Sequence, residues 1–184
     1  MIILSTLRPW SDIERFIINW EFLQDDTPAV YEEHGTRLCK IEIVETSEAK
    51  SLNIQSLEFP TSISIKREIV WREQIFSCYR NNTQLFSRIK IDNPDNPKNW
   101  LYLNSSNELI YKINYGKDAI IQKNIQDQKG ANSGQVRNIK PKDNIKDWDI
   151  TKTFVISVRN PNTERLHLLT FVSFLLSILM EGSD

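Results

Sequence analysis

What this chain lacks narrows it before any motif does. Among 184 residues there are only 2 cysteines and 2 histidines. Cys39 and Cys78 have no CxxC or Cys/His spacing around them, which excludes a disulfide framework and a thiolate zinc site. They read as small buried hydrophobes in a reducing compartment. Lys and Arg total 23 against 24 for Asp and Glu, a net charge of -1, so there is no basic footprint for nucleic acid. The tryptophans at 10, 20, 71, 100 and 148 are scattered rather than interleaved with basic residues, unlike a surface for single-stranded nucleic acid. GxGxxG, GxxxxGK[ST], GxSxG and HExxH are all missing, which removes the usual support for nucleotide binding and for the commonest hydrolases.

Long hydrophobic runs are missing too. The longest, Leu168 to Met180, has about 13 residues where a bilayer needs roughly 20, so no membrane span is expected. The first residues lack the basic start and apolar core of a secretory leader, so a protein that stays inside the cell is expected. Five glycines against abundant Ile, Asn and Lys look like the drift of an AT-rich genome, so cytoplasm or the stroma of an organelle such as a plastid is the expected setting.

One domain is expected at this length. Ser11-Asp12-Ile13-Glu14 has the form of a capping box, and Ile13, Phe16, Ile17 and Trp20 follow at helical spacing, which predicts an N-terminal amphipathic helix. Thr27-Pro28 suggests a second helix start that closes at Gly35, with His34 as a capping residue. From Arg37 the period becomes 2, with Cys39, Ile41 and Ile43 on one face. Further strands are predicted from about Ile63 to Arg72, Gln74 to Arg80 and Leu85 to Ile91, with strand or hairpin from Trp100 to Tyr115. Residues 122–146 lose apolar periodicity and read as a mobile polar insertion. Thr153 to Arg159 resumes a strand, and Leu166 to about Phe174 could return as its antiparallel partner. The expected class is α+β, an antiparallel sheet flanked by helices.

Alternate residues of a strand face opposite ways, so Arg67 shares a face with Ile63, Ile65, Ile69 and Trp71. A guanidinium among apolar neighbours needs a carboxylate or an anionic ligand. An internal ion pair or a snorkelling side chain answers the need as well as a ligand does. The next strand puts Arg80 on a face with Phe76 and Cys78, so a second charge would suit a dianion, although its place beside Asn81 is also an ordinary turn position. His167, a lone histidine among leucines, offers no metal motif.

Lys66-Arg67-Glu68-Ile69-Val70 followed by Phe76-Ser77-Cys78-Tyr79-Arg80 resembles the strand pair of the chorismate-pyruvate lyase family, and Leu168-Leu169-Thr170 resembles its last strand. The resemblance implies an antiparallel sheet with helices, Arg67 holding a substrate carboxylate with Arg80 assisting, and conversion of chorismate to 4-hydroxybenzoate and pyruvate without a cofactor. The family has a glutamate directly after the position matching Thr170, and here that position is Phe171. A carboxylate-binding domain, active or degenerate, is therefore the first expectation. An interaction protein using 122–146 or the apolar C-terminal stretch, and a lipocalin-like ligand or chromophore carrier, are the alternatives.

Overall fold

The computed structural model describes residues 12–20, 29–33, 35–45, 50–56, 62–70, 73–95, 99–114, 122–139 and 152–181. Its strands are β1 (Arg15–Asn19), β2 (Ala29–Glu32), β3 (Arg37–Glu45), β4 (Lys50–Ser56), β5 (Ser62–Val70), β6 (Glu73–Arg80), β7 (Gln84–Ile91), β8 (Asn99–Asn104), β9 (Leu109–Asn114), β10 (Gln122–Gln126), β11 (Asn132–Asn138) and β12 (Thr153–Val158), followed by helix α1 (Arg165–Glu181). Each strand pairs antiparallel with its sequence neighbours, and β1 pairs with β12, closing a barrel. The α+β expectation of a sheet flanked by helices is thus corrected to an all-β barrel with one helix. Closure leaves no strand of the described residues without a neighbour on each side, although β9 and β10 meet at the single pair Lys112 and Gln126.

Inward side chains from all twelve strands, among them Phe16, Val30, Ile41, Ile54, Ile63, Ile89, Tyr102, Ile113, Val136 and Phe154, form one core with Leu168 to Leu176 of α1. Ten consecutive helical residues, 168–177, are buried, so no face of this stretch meets solvent. The helix therefore runs inside the barrel. Eight strands close around side chains alone, whereas twelve leave a wider lumen, and α1 fills it. An all-round apolar helix is what such enclosure requires. The sequence-based strand from Leu166 to Phe174 is replaced by this helix, and with it goes the last strand of the lyase resemblance.

The N-terminal helix is also corrected. Phe16 and Ile18 point into the lumen, while Ile17 packs outside with Val155, Ile139 and Tyr31. Burial on both faces produces an unbroken apolar run, and the run imitates helical spacing. Residues 29–32 are strand rather than the second helix, and Thr27, Pro28 and His34 lie outside the described residues. Residues 122–138, expected as a mobile insertion, form the β10–β11 hairpin with Ile125 and Val136 in the core. Residues 140–146 lie outside the described set.

Three hairpins at the mouth where α1 begins share one turn. In Glu32–Thr36, Asn104–Glu108 and Asp127–Ala131, the fourth residue donates its N–H to the first carbonyl, and the first N–H bonds to the fifth carbonyl. The fourth residues are Gly35 (φ 97°), Asn107 (φ 63°) and Gly130 (φ 82°), in the left-handed region that Gly and Asn tolerate. The β6–β7 turn instead uses left-handed Asn81 and Asn82, whose side chains accept from Ser62 N–H and Ser64 Oγ on β5.

Next to these turns the register slips in four ladders, each time leaving one unpaired residue: Leu38, Phe86, Ile110 and Ser133. A bulge re-aims the residue it inserts. Leu38, Phe86 and Ile110 join the core, and the Ser133 carbonyl accepts from Arg159 N–H and Thr163 Oγ1 of the β12–α1 connection. The bulges thus supply the extra side chains and the anchor that close this mouth around the start of the helix.

Gly134 marks the closest approach of wall and helix. A Cβ there would lie 3.2 Å from Leu168 Cδ1 and 3.4 Å from the Ser157 carbonyl oxygen. Valine is a better strand former than glycine, but its added methyls have no free volume here. Overpacking wins, and Gly134→Val is expected to lower the unfolding free energy by about 1–3 kcal/mol in a urea titration.

No helix among the described residues is long and apolar enough to cross a membrane. The outward positions of β5–β9 include Lys66, Glu68, Ser77, Arg88, Lys90 and Lys112 around an apolar lumen, the reverse of a membrane barrel's polar interior and lipid-facing apolar band.

Candidate functional site

Arg67 and Arg80 both stand at lumen-parity positions of one ladder, where Arg67 pairs with Phe76 and Ile63 with Arg80. They point to opposite mouths. Four residues of strand separate Arg67 from the Arg80 level, about 13 Å, so the two do not converge on one small anion. Both are exposed: Arg67 lies one inward row past Ile65 toward one mouth, and Arg80 shares its row with buried Ile63 at the other. Arg67 stands over the far mouth, where Phe76 meets Phe174 at 4.5 Å and Trp100 at 6.2 Å between ring centres. Glu68, on the outer face, accepts from Ser77 Oγ at 2.9 Å and Tyr79 OH at 2.7 Å and makes no ion pair with Arg67.

Within the lumen a polar layer crosses the core at the near mouth. The Tyr102 hydroxyl lies 2.7 Å from His167 Nδ1, and His167 Nε2 lies 3.2 Å from Glu164 Oε2. In the neutral ring a proton on Nε2, on the carboxylate's side, leaves Nδ1 to accept from the tyrosine O–H; Glu164 lies close to Nε2 without an aligned hydrogen bond. Phe86, placed by its bulge, stacks on the imidazole at 4.1 Å. Burial raises Tyr102 well above the usual tyrosine range and pushes both Tyr111 and the Cys78 thiol up to about 12. Ser87 Oγ adjoins Cys78 and Tyr102 without an aligned hydrogen bond. At neutral pH these groups keep their protons, and Tyr102 has no exposed surface. The layer can position α1 but supplies no accessible nucleophile.

Burial also holds His167 below 6.5, with the Glu164 carboxylate pulling partly back. The folded state thus binds fewer protons than the unfolded chain once pH falls below 6.5. Its contribution to stability is complete above that value and is lost as pH drops toward the depressed folded value. Wild type should lose stability relative to His167→Gln as urea midpoints are followed from about pH 7.5 down to 5.5. Parallel curves would remove His167 from the account.

The outer wall carries the better candidate. A groove of about 430 Å³ lies across β6–β9, lined by Ile75, Arg88, Lys90, Leu101, Leu103, Asn107 and Leu109. The register explains it. Ile75, Lys90 and Leu101 lie side by side, and Ser77, Arg88 and Leu103 form the next row. Leu101 and Leu103 flank inward Tyr102, so β8 is apolar on both faces. The Tyr102/Leu103 bulge brings Leu109 opposite Leu103. Asn107, left-handed at the turn, accepts from Arg88 Nη1 at 2.6 Å and fixes the guanidinium over the leucines. Glycine would suit that φ equally well but could not hold the arginine. Neither Arg88 nor Lys90 forms an ion pair among the described residues.

The sequence reading misses this groove. Its one legible signal is the alternation of Arg88 and Lys90 with Ser87 and Ile89 in a predicted strand, and the leucines become their neighbours only through pairing. No group of three His, Cys, Asp or Glu side chains among the described residues could hold a metal ion. Comparison with protein families, curated proteins and solved structures finds no match to this chain.

Proposed function

We propose that the protein is a non-catalytic binding barrel for a small amphipathic carboxylate, held in the outer groove of β6–β9. The observation that carries this reading is an apolar floor of Ile75, Leu101, Leu103 and Leu109 bordered by Arg88 and Lys90, two cations without ion-pair partners among the described residues. Its volume suits a small ligand, and few convergent polar groups around apolar walls are the usual make-up of such sites. The lining has no carboxyl, histidine or thiol, so it offers charge and apolar contact rather than proton transfer.

The interaction-protein alternative relied on 122–146 and the C-terminal apolar stretch. Residues 122–138 are barrel wall and α1 runs in the lumen, so that alternative would have to use the outer face of the β10–β11 hairpin; residues 140–146 lie outside the described set. Calorimetry with biphenyl-4-carboxylate, chorismate and 4-hydroxybenzoate tests the proposal. Saturable binding of the biphenyl acid at one molecule per chain, weakened by salt, is expected. No binding of any of the three would end it. Pyruvate released from chorismate would favour the lyase reading instead.

A further inference from the structure

Resting on the groove as a carboxylate site, we infer that its occupant carries two acid groups, one at each end of a flat apolar body. The row beside the groove runs Lys90, Leu101, Lys112 on three adjacent strands. Lys112 faces outward, because Tyr111 and Ile113 on either side of it are buried in the core. Strands lie about 4.8 Å apart, so the two lysine backbones are about 10 Å apart across a single leucine. Like charges facing one another over an apolar residue disfavour themselves, and an anion between or above them relieves the cost.

Nothing in the described chain provides that anion. Lys90, Lys112 and Arg88 make no ion pair. In the row, Glu68 is separated from Lys90 by Ile75 and is already engaged by Ser77 and Tyr79, and Asp92, two residues past Lys90 on the outward side, is exposed and forms no ion pair with it. Arg88, two residues from Lys90 on the same face, doubles the charge at that end. A monoacid would satisfy the Arg88 and Lys90 end and leave Lys112 unmatched. A diacid on a rigid two-ring spacer reaches both ends while its rings cover Leu101 and Leu103.

The test compares biphenyl-4,4'-dicarboxylate with biphenyl-4-carboxylate by calorimetry on the full chain. The diacid should bind about tenfold more tightly, the equivalent of one charge-assisted contact. Lys112→Gln should erase that preference without changing monoacid affinity, and Lys112→Arg should keep it. Equal affinities in the wild type, or an undiminished preference in Lys112→Gln, would overturn the inference while leaving the groove reading intact. Failure of both acids to bind would overturn the groove reading itself.

Discussion

Phe171→Ala is expected to lower the unfolding free energy by about 3–5 kcal/mol, measured by urea or guanidinium titration. Phe171 has no exposed surface, and its ring lies 5.2 Å from that of Tyr102. The cost of such a truncation depends on how far the surroundings relax into the space vacated. Here they relax little, because the wall beside Tyr102 is held by the β7–β8 and β8–β9 ladders and cannot move inward without breaking one. At a chain length of this order the loss corresponds to a melting temperature lower by about 6–20 °C. The result discriminates between two positions for α1. On an outer surface the helix could shift and refill the space, and a cost below about 1 kcal/mol would mean that the barrel does not enclose it.

The same enclosure explains which parts of the fold were legible. Strands β3, β5 to β7 and β9 alternate between a lumen and a mostly polar exterior, and period 2 marks them. Outside these, two elements mislead the reading. In β1, Ile17 is buried outside while Phe16 and Ile18 are buried inside, so alternation is absent and a capping-box sequence tips the reading toward helix. In α1, a helix buried on every side has no polar stripe, so its periodicity is silent. Its 17 residues were the usable clue, since few strands run so long. The β10–β11 hairpin failed differently. Only Ile125 and Val136 mark its core face, and Gly134 is small because Leu168 occupies the space.

Site residues were legible to the same depth. Parity assigned Arg67 and Arg80 to the apolar face, and the register puts both there. Parity says nothing of height along the barrel, and both arginines stand at the mouths. It also fails at a bulge: Phe86 follows the outward pattern in sequence, yet it turns in to stack on His167. The groove depends on the register of four strands at once, a property that no single segment carries.

The double charge reversal Arg88→Glu with Lys90→Glu should weaken carboxylate binding at least a hundredfold. Each charge-assisted contact contributes about 1.5–3 kcal/mol, so two together exceed the 2.7 kcal/mol or so that a hundredfold represents, and the new carboxylates add repulsion. Stability should change much less. Both side chains are half-buried on the outer wall and unpaired with acids, and what the fold loses is the Arg88 to Asn107 hydrogen bond, about 1 kcal/mol. Arg88→Gln alone separates the contributions, since it removes the charge while leaving an amide that can still reach Asn107. If the double variant binds as well as wild type, the groove is not the site. Arg67 over Phe76, Trp100 and Phe174 at the far mouth, which forms no ion pair among the described residues, would then be the next place to look for an anion, and Arg67→Ala would have to abolish what the double variant left unchanged.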